Sequence, residues 1–291
     1  MTERLIFSLL KTAWSSLIGA SVVGFTNLVV SKNSTDWVDV SQFDLQLPRL
    51  EPEFDGYRLV HISDFHIGTW MDRARLEEAV SLVNRQRPDL VAITGDFVTF
   101  HPTKHAADLV TALRQIRAGD GTLAVLGNHD HWTDAAEVRK LLHQSGTIDL
   151  SNEVYSLKRG EAQLHFAGVD DYMYHMDRLD IVLDKLPDDG AAVLLAHEPD
   201  FADVSAASKR FDLQLSGHTH GGQIRFPIIG PPYLPRYGKK YSLGMYQVGE
   251  MIQYTNRGLG TGELPIRLNC QAEITVFTLN SPHAKNTKSE S

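Results

Sequence analysis

The chain has 291 residues, 42% of them hydrophobic and 22% charged, an ordinary globular balance with enough material for a large core. A net charge of -8 and a pI near 5.9 exclude the generally basic surface that recruits nucleic-acid polymers. A single cysteine, Cys270, excludes both an intramolecular disulfide and a cysteine-rich zinc site.

The first feature in chain order is an uncharged run from Thr12 to Ser31, flanked by Lys11 and Lys32. At about 1.5 Å per residue it is long enough to cross a hydrocarbon layer. It predicts a membrane anchor or signal-anchor helix over residues 1–32, with a cleaved signal peptide or an interfacial helix left open by its serines. Arg4 and Lys11 favour an orientation with the N-terminus inside and the remaining chain beyond the membrane. Residues 33–56, punctuated by Pro48, Pro52 and Gly56, read as a linker and an entry strand.

A repeating pattern follows. Arg58 to Ser63 is a strand-like run ending in Asp64-Phe65-His66, and residues 72–86 carry apolar residues at helical spacing. Asp89 to Thr94 predicts a buried strand ending in Gly95-Asp96, followed by a helix over 103–117. Thr122 to Leu126 predicts a third strand, ending in Gly127-Asn128-His129-Asp130, and Thr133 is placed to cap a helix over 134–144. Three β-α units in succession predict a parallel sheet, whose ligands gather outside the carboxyl ends of the strands.

The next region changes character. Glu153–Lys158 and Gln163–Val169 read as strands without a long helix between them, and 177–186 as a short helix. Ala191–Ala196 is a further buried strand, ending in His197. After another helix, Phe211–Leu215 leads into Gly217-His218-Thr219-His220-Gly221-Gly222. Strands over 245–248, 251–255 and 273–279 complete residues 57–280 as one domain, and the polar residues 281–291 read as a disordered tail.

Asp64, His66, Asp96, Asn128, His197, His218 and His220 all fall at strand ends. Their mixture of carboxylate, amide and imidazole suits manganese, iron or zinc better than calcium or magnesium. Seven such groups exceed what one ion needs beside water, and two ions about 3.5–4 Å apart are a standard device for displacement at phosphorus. His61, inside a strand, reads as packed; His101, His105, His143, His165 and His175 match no motif, and His131 is a candidate for substrate contact. Gly258-Leu259-Gly260-Thr261-Gly262 lacks the ending of a phosphate-binding loop and reads as a plain turn.

In order and spacing, Asp64-x-His66, Gly95-Asp96, Gly127-Asn128-His129-Asp130, His197 and Gly217-His218-Thr219-His220 resemble the signature of the calcineurin-like metallophosphoesterases. The resemblance implies an α/β, four-layer αββα sandwich, here preceded by an N-terminal membrane helix. It implies that Asp64, His66 and His220 bind one divalent metal ion, that Asn128, His197 and His218 bind a second, and that Asp96 bridges them. It further implies that His129 acts on the substrate as general acid or phosphate-oxygen stabiliser, with Asp130 orienting it.

Gly221-Gly222-Gln223-Ile224-Arg225 and Asn256-Arg257-Gly258-Leu259-Gly260, with the segment Pro265 to Cys270, look like a bacterial membrane-associated subgroup. That subgroup includes enzymes similar to the UDP-2,3-diacylglucosamine hydrolases of lipid A synthesis. The loop 225–241 sets Arg225, Arg236, Lys239 and Lys240 beside Phe226, Tyr233, Leu234 and Tyr237, which makes Arg225 a candidate substrate contact for a lipid-linked phosphoester. The resulting expectation is a phosphodiesterase or pyrophosphatase at the bacterial cell membrane, acting on a lipid-linked or nucleotide-linked substrate. The alternatives are a protein or small-molecule phosphomonoesterase, and a non-catalytic membrane scaffold.

Overall fold

The computed structural model describes residues 37–68, 70–99 and 105–284. The expected membrane helix over 1–32 lies outside them, as do His101 and the tail from 285. Among the described residues no helix is long and apolar enough to cross a membrane.

Among the described residues, twelve strands form two six-stranded mixed sheets. The first contains β1 (Val38–Gln46), β2 (Tyr57–Ile62), β3 (Leu90–Thr94), β4 (Thr122–Val125), β5 (Ile148–Asp149) and β12 (Ala272–Asn280), in the order β1-β12-β2-β3-β4-β5. The second contains β6 (Glu153–Arg159), β7 (Ala162–Gly168), β8 (Ala191–Leu195), β9 (Leu213–Ser216), β10 (Gly244–Val248) and β11 (Met251–Thr255), in the order β10-β11-β9-β8-β7-β6. Strands β2, β3 and β4 are mutually parallel, as are β7, β8, β9 and β11.

Alternation along the central strands divides the core. Leu59, Leu90, Ala92, Leu123 and Val125 point inward to meet Leu164, Phe166, Val193, Leu195, Leu213 and Leu215 of the second sheet. Their neighbours Val60, Ile62, Val91, Ile93 and Ala124 point the other way, onto helices α1 (Arg73–Arg85), α2 (Ala106–Leu113) and α4 (Ala135–Ser145). The outer face of the second sheet is covered by α5 (Leu179–Lys185) and α6 (Ala202–Ala207) through Val182, Ala202 and Phe201. The central strands are therefore buried on both faces, which is why they read as continuous apolar runs.

Several local expectations are corrected. The cap of α4 is Asp134, whose carboxylate accepts from the Glu137 N–H, rather than Thr133. Thr133 instead ends α3 (Asn128–Thr133), a short helix that the sequence did not suggest, and donates to the His129 carbonyl at 2.8 Å. Helix α2 is shorter than the expected 103–117. Ser281 belongs to the fold: its hydroxyl donates to Leu50 O at 2.6 Å and its N–H to Asp55 at 2.8 Å.

Candidate metal centre

The loops that follow β2, β3, β4, β8 and β9 meet at one end of the two sheets. Backbone bonds zip the first two together, Asp64 N–H to Gly95 O (3.0 Å) and His66 N–H to Asp96 O (3.0 Å). Two further bonds stitch the second sheet to the first. The His218 N–H donates to the Asp64 carboxylate at 3.1 Å, and His197 Nδ1 lies 2.6 Å from Thr94 O.

Asp64, His66, Asp96, His218 and His220 all adopt positive φ, between 47° and 70°. This left-handed backbone costs a non-glycine residue roughly 1 kcal/mol or more. It occurs twice as an i, i+2 pair, in Asp-x-His and in His-x-His, and both pairs aim their side chains at the same centre. Close approach does the rest: a Cβ on Gly127 would collide with the Asp96 carboxylate and the His197 ring, and one on Gly217 with Ser63 and Asp64.

All seven expected ligands come together. Asp64, His66 and His220 form one grouping, with His66 Nε2 3.1 Å from His220 Nε2 and His220 Nε2 3.4 Å from Asp64 Oδ1. Asp96, His197 and His218 form another, with His197 Nε2 3.2 Å from Asp96 Oδ2, from His218 Nδ1 and from Asn128 Oδ1. Asp96 Oδ2 is also 3.4 Å from His66 Nε2, so this one carboxylate reaches both groupings.

The protonation pattern tests whether a cation fits. His197 Nδ1 faces the Thr94 carbonyl, and His218 Nε2 faces the Arg236 carbonyl at 2.8 Å. A carbonyl only accepts, so both of these nitrogens carry protons. His197 Nε2 and His218 Nδ1 then present lone pairs, as do Asn128 Oδ1 and Asp96 Oδ2. Four lone-pair donors within contact distance, all buried, repel one another unless a positive charge sits among them. The donor set fits a divalent metal ion.

His129 stands at the rim. Its N–H donates to Asp96 Oδ1 at 2.8 Å, and its ring lies between His66 (4.7 Å, edge to face) and the half-exposed Trp132 (4.3 Å). Its Nδ1 is buried and without a hydrogen-bond partner, and its position also groups it with His66 and Asp96. Burial pushes its pKa down to about 4, and the neighbouring imidazoles add to the effect against the pull of Asp96. Burial opposes the charge on Asp96, but His197 and His129 outweigh it and hold the carboxyl well below its usual range.

Asp130 has different partners from those expected. Its carboxylate accepts from the backbone N–H groups of Asp96 (2.9 Å), Phe97 (2.9 Å), Val98 (3.3 Å) and Gly127 (3.0 Å). It anchors the loop that carries Asp96, and its short side chain is spent on main-chain donors rather than on the His129 ring. Arg225 donates to the Gly221 carbonyl at 2.8 Å, at the edge of the His218–His220 loop. His61 is packed, bonded to Thr94 Oγ1 at 2.9 Å and pushed by burial to about 3. His131 pairs with Asp170 at 2.8 Å and stacks on Tyr174.

Sequence reasoning missed an outer set of supports. Thr99 Oγ1 lies 3.1 Å from His66 Nδ1. The segment 258–260, read as a plain turn, is a wall of the site: the Leu259 N–H bonds Ser63 O (2.9 Å) and the Gly260 N–H bonds Asp64 O (2.6 Å). Buried Arg267 holds that wall by donating to the carbonyls of Arg257, Gly258, Gly260 and Cys270. The only available signal was an arginine following the Gly-x-Gly run, which carries no chemistry by itself.

A family model for calcineurin-like phosphoesterases matches residues 57–222, which include all seven of these candidate ligands. Among curated proteins, the uncharacterized metallophosphoesterase YkuE of Bacillus subtilis is 37% identical over 84% of this chain and 86% of its own length. The phosphodiesterase YaeI of Escherichia coli is 29% identical over 77% of this chain and 82% of its own. A transmembrane protein with metallophosphoesterase domain from Danio rerio is 32% identical over 91% of this chain but only 62% of its own length.

Proposed function

The chain belongs to the calcineurin-like phosphoesterase family, and from that premise we propose that it hydrolyses a phosphodiester or pyrophosphate bond in a lipid-linked or nucleotide-linked substrate. Phosphoester hydrolysis itself follows from the family and from relatives that include a named phosphodiesterase; the family works with divalent metal ions. The observation that carries the reading is the pair of donor groupings joined by Asp96.

In this reading Asp64, His66 and His220 hold one ion, Asn128, His197 and His218 hold the other, and Asp96 is shared. Manganese, iron and zinc all suit the donor set. Two such ions would supply an acidified water and Lewis acidity toward the phosphoryl oxygens. The protein's own residues do the rest. Thr94 O and Arg236 O fix the tautomers of His197 and His218, and Thr99 fixes the ring of His66. Asp130 holds the Asp96 backbone in place. His129 faces the substrate from the rim, where it donates a hydrogen bond or a proton to a phosphoryl or leaving oxygen. Trp132 limits the directions its ring can take.

The finer assignments belong to the same proposal. A UDP-2,3-diacylglucosamine-like substrate is supported by the cations and aromatic residues of 225–241, with Arg225 at the rim as a substrate contact. Residues 1–32 serve as the membrane anchor, 33–56 as linker and entry strand, 57–280 with the bonded Ser281 as the catalytic domain and the residues beyond it as a tail, with the enzyme at the bacterial cell membrane. The uncharged run 12–31 supports this partition, and the Danio rerio relative is named as transmembrane. The test is a panel of phosphomonoesters, phosphodiesters and UDP-linked lipids offered to the full chain loaded with manganese. Diesters or UDP-linked lipids should be preferred; a preference for monoesters would overturn the proposed substrate class.

A further inference from the structure

The segment after the metal loop leaves the protein surface. The Arg225 N–H bonds Leu268 O at 2.9 Å and its guanidinium bonds Gly221 O at 2.8 Å, which ties the base of a narrow loop to the centre. Phe226 and Gly230 exchange N–H···O bonds in both directions, at 3.0 and 2.9 Å, and close the loop over Pro227, Ile228 and Ile229. At its tip Ile228 and Ile229 are 108% and 81% exposed, the two most exposed large apolar side chains among the described residues. Ile228 also holds φ at 70°, a conformation disfavoured for a β-branched residue. Two adjacent isoleucines presented to water, one of them on strained backbone, gain nothing from packing against the other described residues.

Charge marks the same region. No acidic residue occurs between Asp212 and Glu250, while Arg225, Arg236, Lys239 and Lys240 all lie there. Lys240 is engaged by Asp203 at 2.6 Å; even so, the segment that carries the apolar tip is purely cationic in a chain whose net charge is -8. That combination suits an anionic lipid surface, with the apolar tip entering the acyl region and the cations meeting headgroup phosphates.

Topology brings the loop and the start of the described chain to one rim. Strand β1 starts at Val38 opposite Ala272, at the end of the sheet where β2, β3 and β4 finish. Cys270, two residues before Ala272, donates its thiol to the His220 carbonyl at 3.2 Å. The described chain therefore begins on the same rim as the loop and the metal centre, and the uncharged run Thr12–Ser31 precedes it in the sequence.

We propose that Phe226–Pro231 is a wedge that inserts into an anionic phospholipid surface and seats the metal centre against the headgroup layer, from which it takes its phosphoester. This rests on the reading of the centre as a phosphoester-hydrolysing site and narrows its substrate to a molecule resident in the bilayer.

The test attaches a bimane fluorophore to the full chain at Ile228→Cys, and in separate samples at Ile229→Cys and at Glu161→Cys. Native Cys270 is buried, and Glu161 sits in the β6–β7 turn at the opposite ends of the strands. Vesicles of phosphatidylglycerol and phosphatidylethanolamine carry nitroxide-labelled acyl chains. Labels at 228 and 229 should shift to the blue and be quenched at least about 2-fold more than the label at 161. Water-like emission at all three positions while the chain sediments with the vesicles would overturn the wedge, because the N-terminus alone would then be the tether. Blue emission at 228 before vesicles are added would also overturn it, since a protein surface would be covering the tip. Hydrolysis of bis(p-nitrophenyl) phosphate by the unlabelled chain separates insertion from catalysis. Hydrolysis without insertion removes only the wedge, whereas no hydrolysis removes the phosphoesterase reading beneath it.

Discussion

His129 follows Asn128 directly, and its ring packs between His66 and Trp132 while its nitrogens stay within reach of His66 and Asp96. If its role is confined to the transition state, His129→Ala should cut kcat by roughly 10²–10⁴-fold while metal content stays near wild type. The loss should be smaller for p-nitrophenyl esters, whose leaving group needs no proton. A loss independent of leaving group would assign His129 to charge stabilisation, and an emptied metal site would make it a ligand. Asp130 belongs to the same scale. Its four backbone bonds were not legible in the sequence, because Asn-His-Asp reads as three polar side chains in a row and nothing in that string says which faces main chain.

At the scale of elements, the site is a set of loops held against one another. The wall at 258–260 shows how tight the fit is: a Cβ on Gly260 would fall on the carbonyl oxygens of Phe65 and Asp64, backbone atoms that cannot rotate aside. Gly260→Ala should therefore destabilise the protein by about 1–3 kcal/mol and weaken metal retention at the Asp64–His66–His220 grouping. A wild-type melting temperature with full metal content would show that the wall is not needed.

Helix α3 is tied to the segment after β7 by His131 and Asp170, with Arg139 also on Asp170 at 2.6 Å, Asp171 next in the chain and Tyr174 stacked on the ring. Burial would lower the His131 pKa, but the hydrogen bond and charge of Asp170 raise it above its ordinary value of 6.5. Its contribution is thus fully present below pH 6.5 and lost as pH rises through the raised value. Burial likewise opposes the Asp170 charge, yet His131 holds the Asp170 carboxyl below 3.8, so its share is present above that pH and lost only in stronger acid. The melting-temperature gap between wild type and His131→Gln should accordingly be wider at about pH 6 than at about pH 9. A gap that widens with rising pH would mean that the pair is not ionic.

Across the whole molecule, the two sheets are joined by polar bonds as well as by their shared core at the end where they would bind metal. His218 bonds Asp64 and His197 bonds Thr94, each across the sheet boundary. The positions of the site residues were readable in the sequence because each ends an apolar run, and a parallel sheet presents such ends together. What was not readable depends on distant pairing. An entry strand was expected within 33–56, but nothing local says that β1, VDVSQFDLQ, joins β12 across more than two hundred residues. Arg267 satisfies carbonyls of a loop that becomes a wall only after β12 has docked beside β2. Long-range contacts of this kind leave no periodic trace for a local reading to find.

In the proposed mechanism Asp96 joins two metal positions into one hydrolytic centre. Metal analysis of the purified full chain, run beside phosphodiester hydrolysis for wild type and Asp96→Asn, tests it most directly. The wild-type chain should hold about two equivalents of divalent transition metal and be active, and Asp96→Asn should lose both ions together with the activity. A wild-type chain fully active without metal, or an Asp96→Asn chain that still hydrolyses the diester, would contradict it.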